Sequence, residues 1–294
     1  MNEDPFIAHR GLLFTVAYEM LGSATDAEDV LQESWLRWWE VQASDIREPR
    51  AYAVRIVTRM SLNRLRSLAR SREEYVGAWL PEPIATAPDV IDDVELAESV
   101  SIAMLTVLET LEPTQRAVFV LREVFRLPFA EIADATGIAP STVRQIAHRA
   151  REHVNSRRPR LTVTAEEHKA VVDRFVVVLD TGRLQDLMDI LAPDVVLIAD
   201  GGGVAAAVPE PVNGANRVAR LLTRIAKATI DPIVLNGLPA VRIDRGGDTT
   251  AMSVHVAGGR VDRVYLIRNP GKLGSLDELR ALSRSASPRA VNDG

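Results

Sequence analysis

Arginine, glutamine, serine and threonine recur on one face of a predicted helix that begins at Pro140. Arginine and glutamine side chains pair bidentately with guanine and adenine edges in the major groove of DNA, while other polar contacts reach phosphate. From Arg144 to Arg160 there are six arginines and one acid, Glu152. This composition suits DNA recognition, and the candidate readers are Ser141, Thr142, Arg144, Gln145, His148, Arg149 and Arg151.

The elements that must position this face form a helix-turn-helix at about residues 129–153. Gly137 lies at the sharp turn between the two helices, where glycine tolerates a positive φ. Ile132 faces the core, and Ala133 has to be small because the second helix crosses close above it. The alternative, a helical hairpin with a solvated basic face, does not explain why all these spacings agree. The predicted buried stripe of the second helix is Val143, Ile146, Ala147 and Ala150.

A second basic helix is predicted at about Pro49–Arg70. From Arg47 to Arg72 there are eight arginines and one acid, Glu48. A solvated surface helix is one explanation. A second DNA contact is the other, and a neighbouring helix-turn-helix favours it. The arginines singled out are Arg55, Arg59, Arg66 and Arg70.

The segment Asp26–Glu33 is acidic and amphipathic, and its charge would repel DNA. It therefore suits a protein partner, although a plain solvent-facing helix would look the same. Asp26 is predicted to cap the helix Ala27–Val41, with Asp29 three residues further on.

The bulk composition limits the class of protein. The chain has 294 residues, enough for two or three modules, and it is 47% hydrophobic and 26% charged. Its net charge of −5 argues weakly against nucleic-acid binding, but the charges are strongly segregated. The absence of cysteine excludes disulfides and thiolate zinc sites, and no cofactor or metal is expected. No signal peptide or membrane span is predicted, so a cytoplasmic protein is expected.

The predicted architecture is multi-domain, with two all-α parts followed by an α+β part. Residues 1–74 and 96–156 are the helical parts, and an acidic linker at 75–95 joins them. Residues 165–283 are predicted to form helices and an antiparallel sheet, with Gly258-Gly259 as a hairpin turn, and residues 284–294 a disordered tail. The predicted helices there are 165–179 and 213–228, and the strands are 195–199, 232–235, 240–243, 249–256 and 261–267.

In this order the motifs resemble the extracytoplasmic-function (ECF) sigma factors of bacterial RNA polymerase. The resemblance spans residues 5–155 and rests on these motifs: Asp26–Glu33, Arg55-Ile56, Asn63-Arg64-Leu65-Arg66, Leu111-Glu112-Pro113 and the helix-turn-helix. It implies that residues 47–72 melt and capture the −10 element, with Asn63 among the contacts, and that the helix-turn-helix reads the −35 element. Asn63 is a departure, since Asp is usual before Arg-Leu-Arg.

The resemblance also implies the partners. These are promoter DNA and the polymerase core, through the clamp helices of its largest subunit and through its flap, with no membrane. The acidic linker would thread the polymerase channel. The implied docking residues are Asp26, Glu28, Asp29, Leu31, Gln32, Glu33 and Trp35.

Three further motifs occur together in the chain: Trp79-Leu80-Pro81-Glu82-Pro83, Asp200-Gly201-Gly202-Gly203 and Asn269-Pro270-Gly271-Lys272-Leu273. They are similar to those of the subgroup with a fused SnoaL-like domain, a cone-shaped α+β fold. This similarity implies control in cis, without a separate anti-sigma protein. Gly271 departs from the usual acidic residue of that subgroup. The implied regulatory contacts are Trp79, Leu80, Pro81, Asp200, Gly201, Gly202, Asn269, Pro270 and Lys272.

Two alternatives stay open at this point. The chain could be a ligand-sensing helix-turn-helix regulator that works without polymerase. It could also be a SnoaL-like cyclase or isomerase, in which Asp200 and His255 abstract a proton and Asp180 and Tyr265 assist. Since fold does not dictate chemistry and no nucleophile or phosphate loop is evident, the sequence favours a sigma factor without enzymatic activity.

Overall fold

The computed structural model describes residues 4–41, 46–87, 93–158, 164–225 and 228–284. The chain divides into two compact units. The helical unit comprises 1–71, 107–157 and 281–294, and the α+β unit comprises 72–106 and 158–280. The predicted linker and the start of the second predicted helical part therefore group with the C-terminal fold.

The helices before residue 158 follow the predicted pattern, with changes at their ends. Ser23 rather than Asp26 is the N-cap of α3, because the Ser23 hydroxyl accepts the Asp26 backbone N–H at 3.1 Å. The expected Asp26 cap is thus wrong. Their bounds are α1 (Pro5–Ala8), α2 (Arg10–Leu21), α3 (Ala24–Trp39), α4 (Pro49–Glu73), α5 (Val94–Val100), α6 (Ile102–Leu108), α7 (Pro113–Phe119), a π-helical turn (Val120–Val124), α8 (Phe129–Thr136) and α9 (Pro140–Arg157).

A buried arginine joins the first and second parts of the helical unit. Arg116 on α7 is 1% exposed, although arginine is seldom buried without a partner. Its Nη1 lies 2.5 Å from Glu109 Oε1, and its Nε donates to the Glu19 carbonyl of α2 at 3.0 Å. Helix α7 begins at Pro113, and Glu112 forms a capping box with Gln115 at this end.

In the described part of the α+β unit, eight strands form one sheet in the order β3-β2-β7-β6-β5-β4-β1-β8. Two pairs are parallel, β2 with β7 and β1 with β8, so the expectation of a purely antiparallel sheet is wrong. The strands are β1 (Ala85–Thr86), β2 (Leu191–Asp200), β3 (Val212–Asn213), β4 (Thr229–Leu235), β5 (Leu238–Arg245), β6 (Asp248–Ala257), β7 (Arg260–Ile267) and β8 (Leu279–Arg280).

Three helices cover one face of this sheet, which we call the inner face. They are α10 (Ala165–Thr181), α11 (Leu184–Ile190) and α12 (Ala215–Leu222). A short 3₁₀ turn, Thr223–Ile225, continues α12. The predicted helix 213–228 is shorter because strand β3 takes residues 212 and 213, and α11 was not predicted.

The outer face of the sheet packs against the linker. Its buried cluster joins Tyr265 and Ile267 of β7 to Leu80, Ala85 and Ile102. The linker, for which the sequence predicts an extended or lightly structured segment, is therefore part of a core. Its residues 88–92, and the predicted tail at 285–294, lie outside the described residues.

Replacing Arg116 tests how far the helical unit depends on the buried ion pair. We expect Arg116→Ala to lower the free energy of unfolding by about 3–5 kcal/mol, because it removes the buried cation that binds the Glu109 carboxylate and the Glu19 carbonyl. Arg10→Ala is the matched control. Arg10 pairs with Glu28 at 2.5 Å but is 55% exposed, so its loss should cost less than about 1 kcal/mol. Urea denaturation measures both, and equal losses would contradict the interpretation.

Candidate nucleic-acid interface and linker-binding site

The second helix of the helix-turn-helix, α9, presents its polar face to solvent. Gly137 ends α8 at φ 72°, in the left-handed conformation, and its N–H donates to the Ala133 carbonyl. Val143, Ala147 and Ala150 are buried, whereas the predicted stripe residue Ile146 is half-buried. All seven predicted readers are exposed: Ser141, Thr142, Arg144, Gln145, His148, Arg149 and Arg151.

The three arginines among these residues differ in their surroundings. Arg151 makes two hydrogen bonds to Glu123, at 2.7 and 3.1 Å, and this ion pair raises the pKa of its guanidinium. Arg144 lies 5.7 Å from the ring centre of Phe129. Within the part of the chain that the structure describes, Arg149 forms no ion pair. Arg149 is therefore the best placed of the three to meet a phosphate or a base.

Helix α4 carries the second predicted DNA surface, and part of it is occupied within the helical unit. Arg55 pairs with Asp134 at 2.8 Å and lies over the ring of Tyr52. Arg59 donates to the backbone carbonyls of Asp134 at 2.8 Å and of Ala135 at 3.3 Å. These carbonyls lie at the C-terminal end of α8, where the helix dipole is negative.

The other −10 candidates on α4 are Asn63, Arg66 and Arg70. Asn63 and Arg66 are exposed. Arg70 lies on the same helix, and its side chain is outside the described part.

The predicted docking segment lies on α3 and is only partly exposed. Asp26 pairs with Arg64 at 2.6 Å, which raises the pKa of that arginine, and Glu28 pairs with Arg10. Asp29, Gln32 and Glu33 are exposed, and Trp35 is half-buried against Phe6. Leu31 is 3% exposed, so it supports the helix from the core and does not belong to the surface.

Two apolar side chains on α3 extend this surface. They lie within the stretch Asp26–Trp39 that the resemblance assigns to docking, but outside the seven residues singled out from it. Leu36 and Trp39 are 66% and 67% exposed. Leu36 lies three and four positions after the exposed Glu33 and Gln32, and Trp39 lies three positions after Leu36, so the helical period could have identified them. Large exposed apolar side chains beside acids are typical of a protein-binding surface.

Asp200, at the end of β2, is the centre of a site that binds the linker. Its carboxylate is fully buried and accepts four hydrogen bonds. Oδ2 accepts from Lys272 Nζ at 2.7 Å and from the Leu80 N–H at 2.9 Å. Oδ1 accepts from the Tyr75 hydroxyl at 2.5 Å and from the Gly202 N–H at 3.0 Å. Burial and the Asp200 carboxylate raise the pKa of Tyr75 well above its usual range.

Lys272 binds the linker from the opposite side. Its ammonium group donates to the Leu80 carbonyl at 2.6 Å and lies 3.1 Å from the ring centre of Trp79. The group is 6% exposed, so the carboxylate, the carbonyl and the aromatic face together replace its water. We call Asp200, Lys272 and the linker residues they hold, Tyr75, Trp79 and Leu80, the linker clamp.

Asn269 and the glycines explain why the clamp is so close-packed. Asn269 Nδ2 donates to the Tyr75 hydroxyl at 2.8 Å. A Cβ on Gly202 would approach the Asn269 side chain to 2.4 Å, and one on Gly201 would collide with the Ala205 carbonyl. Pro81 is buried, and Pro270 begins the short 3₁₀ turn that carries Lys272. Gly271 is exposed, so the departure at this position adds no side chain to the clamp.

Beyond Pro81, the linker is held by hydrogen bonds of polar side chains that are not among the implied regulatory contacts. Glu82 is 4% exposed and accepts from the Ser275 hydroxyl at 3.1 Å. Asn236 accepts the Ile84 N–H at 3.2 Å and donates to the Val100 carbonyl at 2.8 Å. The Asn236-Gly237 pair is a typical hairpin turn between β4 and β5, which was a usable signal.

The structure does not bring Asp200 and His255 together. On β7, Asp200 is opposite Ile267 and His255 is opposite Arg263, on different sides of the strand, which separates them by roughly 13 Å along it. His255 instead lies 2.6 Å from Asp262. The other two candidates are separate as well, since Asp180 is exposed and Tyr265 is buried, which raises its pKa.

Within the described residues, every helix is too short or too polar to cross a membrane.

Comparison with known proteins identifies the class. Residues 6–71 match Sigma-70 region 2, and residues 101–154 match Sigma-70 region 4. The chain belongs to the family of ECF RNA polymerase sigma factors. It is an alternative sigma factor that carries a C-terminal α+β domain of SnoaL-like fold, as the resemblance implied.

Particular relatives share nearly the whole chain. The ECF RNA polymerase sigma factor SigJ of Mycobacterium tuberculosis is 35% identical, over 96% of both chains. The probable ECF sigma factor SigI of the same species is 31% identical, over 93% of this chain and 94% of its own. The crystal structure of SigJ superposes with a TM-score of 0.77 at 32% identity, covering 92% of this chain and 98% of the other.

A double-mutant cycle tests the clamp. We expect Lys272→Met to lower the free energy of unfolding by about 3–5 kcal/mol, because it leaves a buried carboxylate without its cation. In an Asp200→Asn background, the same change should cost at least about 1 kcal/mol less. Chemical denaturation of the four proteins gives the coupling, and strictly additive losses would show that the ion pair is unimportant.

Arg149 and Arg151 provide a matched test of the recognition helix. We expect Arg149→Ala to weaken binding to a promoter duplex about tenfold, and to reduce the salt slope by about 1 if the contact is to phosphate. Arg151→Ala should weaken it less than about threefold, because Glu123 already holds that guanidinium. Fluorescence anisotropy at several salt concentrations measures both. A larger effect at Arg151 would overturn this ranking.

Proposed function

We propose that this protein directs the RNA polymerase core to specific promoters from the cytoplasm, and that its own α+β unit controls initiation in cis. The observation that carries the control is the linker clamp. A buried lysine and a buried aspartate of the C-terminal fold hold the segment between the two Sigma-70 regions. A device of this kind in the same chain supports control without a separate anti-sigma protein.

Contact with the polymerase would use the exposed side of α3. Asp29, Gln32 and Glu33 supply acid and amide groups, and Leu36 and Trp39 supply apolar area. The clamp helices of the largest subunit are the partner that the family resemblance implies for this segment. The flap would receive the part of the chain that carries the helix-turn-helix.

Contact with the −10 element would use α4, and it requires an exchange of partners. Arg55 and Arg59 are satisfied by the C-terminal end of α8, as they would be by a phosphate. DNA has to replace Asp134 and the two carbonyls before these arginines can bind it. This supports a resting state of the helical unit in which the −10 surface is partly blocked and α9 is exposed.

The clamp would act through the linker. In this family the linker threads the polymerase channel, and a linker held by Lys272 and Asp200 cannot do so at the same time. Loss of the clamp should therefore make initiation easier, as long as the α+β unit stays folded.

Run-off transcription with core polymerase tests this proposal. We expect the full chain to support initiation, and we expect Lys272→Met to raise the yield at least about twofold at limiting protein, because the linker is released more readily. Lys169→Met is the matched control. Lys169 is 64% exposed in an ion pair on α10, so its loss should leave transcription unchanged.

Two results would count against the proposal. If the full chain bound promoter duplexes but failed to bind core polymerase, the protein would be a helix-turn-helix regulator. If Lys272→Met transcribed like the parent protein while its linker became accessible to protease, the clamp would have a structural role alone.

A further inference from the structure

The inner face of the sheet encloses a cavity that the linker clamp does not use. Its volume is about 620 Å³, within the usual range for a small-molecule site. Leu197 and Ala199 of β2, Ile243 of β5 and Leu266 of β7 line its sheet side. Leu221 and Ile225 line its helical side. The body of a molecule held here has to be apolar.

The rim of the cavity is polar and carries an excess of positive charge. Among the described residues that line it there are three arginines, Arg224, Arg245 and Arg268, and one acid, Asp248. Asp248 is 76% exposed and lies 3.7 Å from Arg268, so it neutralises this arginine only weakly. Guanidinium groups bind carboxylates through paired, charge-assisted hydrogen bonds. An apolar interior with such a rim matches an amphipathic anion.

Two of these arginines also fix the segments that cover the cavity. Arg268 donates to the Ala206 carbonyl in the loop after β2, and Arg245 donates to the Arg224 carbonyl in the 3₁₀ turn after α12. The rim is therefore formed by elements already held in place, and a ligand would pay little ordering entropy on binding.

The cavity and the linker clamp are built on the same strand ends. Successive side chains of a strand point to opposite faces. On β2, Ala199 faces the cavity and Asp200 faces the linker. After β7, Arg268 lines the cavity rim and Asn269 binds Tyr75. A shift of either strand end on one face is therefore a shift on the other.

We propose that the cavity binds a carboxylate with an apolar body of fatty-acid size, and that binding is transmitted through these strand ends to the linker clamp. The carboxylate of the ligand meets the arginine rim, and its apolar body fills the space between the sheet and α12. The binding itself does not depend on the proposed function, but the transmission gives that function a signal.

Calorimetric titration of the full-length protein with dodecanoate tests the binding. Dodecanol, which lacks the charge, and acetate, which lacks the apolar body, should each bind at least about tenfold more weakly. Arg224→Gln should weaken dodecanoate binding about tenfold, and Val208→Trp, which fills the cavity, should abolish it. Arg220→Gln is the matched control, because Arg220 lies on α12 four positions before Arg224, bonds to Asn216 and is not among the lining residues of the cavity.

The transmission has its own measurement. In protein labelled with 5-fluorotryptophan, the resonance of Trp79, assigned with Trp79→Phe, should move as dodecanoate saturates the site. The site would be overturned if the parent protein failed to bind dodecanoate, or if Arg224→Gln and Val208→Trp bound it as tightly as the parent protein does. Saturable binding with an unmoved Trp79 resonance would overturn the transmission. Core binding and run-off transcription without ligand do not depend on either result. Failure of the ligand proposal is therefore distinguishable from failure of the proposed function.

Discussion

The ion pair between Lys272 and Asp200 is the interaction on which the arrangement of the α+β unit depends. Both groups are almost fully buried, and their removal from water is costly unless every charge is matched. The matching groups come from the linker, as a backbone N–H, a backbone carbonyl, a phenol and an indole ring. Because these groups are lost when the linker leaves, the folded sheet has a strong physical reason to retain it.

The sheet serves two purposes because its strands have two faces. The outer face and its strand ends hold the segment that joins the two Sigma-70 regions, and the inner face encloses a cavity with a basic rim. Close packing keeps the two faces from moving independently. The control in cis that we propose therefore needs no long-range path, since the neighbouring residues Ala199 and Asp200 face the cavity and the linker respectively.

In the helical unit, too, charged side chains bind groups of the same unit. Arginines suited to DNA are satisfied within the unit where a substitute is available, as with Arg55 and Arg59 at the end of α8. Arg149 on α9 remains available to DNA. The two surfaces that we propose for promoter DNA thus differ in exposure, since arginines of the proposed −10 surface already bind groups of α8.

The sequence by itself determined the local features of this protein. Helical periods, Gly137, the clustered arginines and the ordered motifs were enough to predict the helix-turn-helix, the basic helix, the family and most of the clamp residues. Tertiary structure alone decided that Leu31 is internal and that β2 lies parallel to β7. It also decided that the linker is bound through its own Tyr75 and Glu82 and by Asn236 of the C-terminal fold. It also separated Asp200 from His255. Most of these outcomes depend on contacts between residues far apart in the chain, more than a hundred positions apart for the linker contacts, and local patterns carry no record of which distant group satisfies a buried charge.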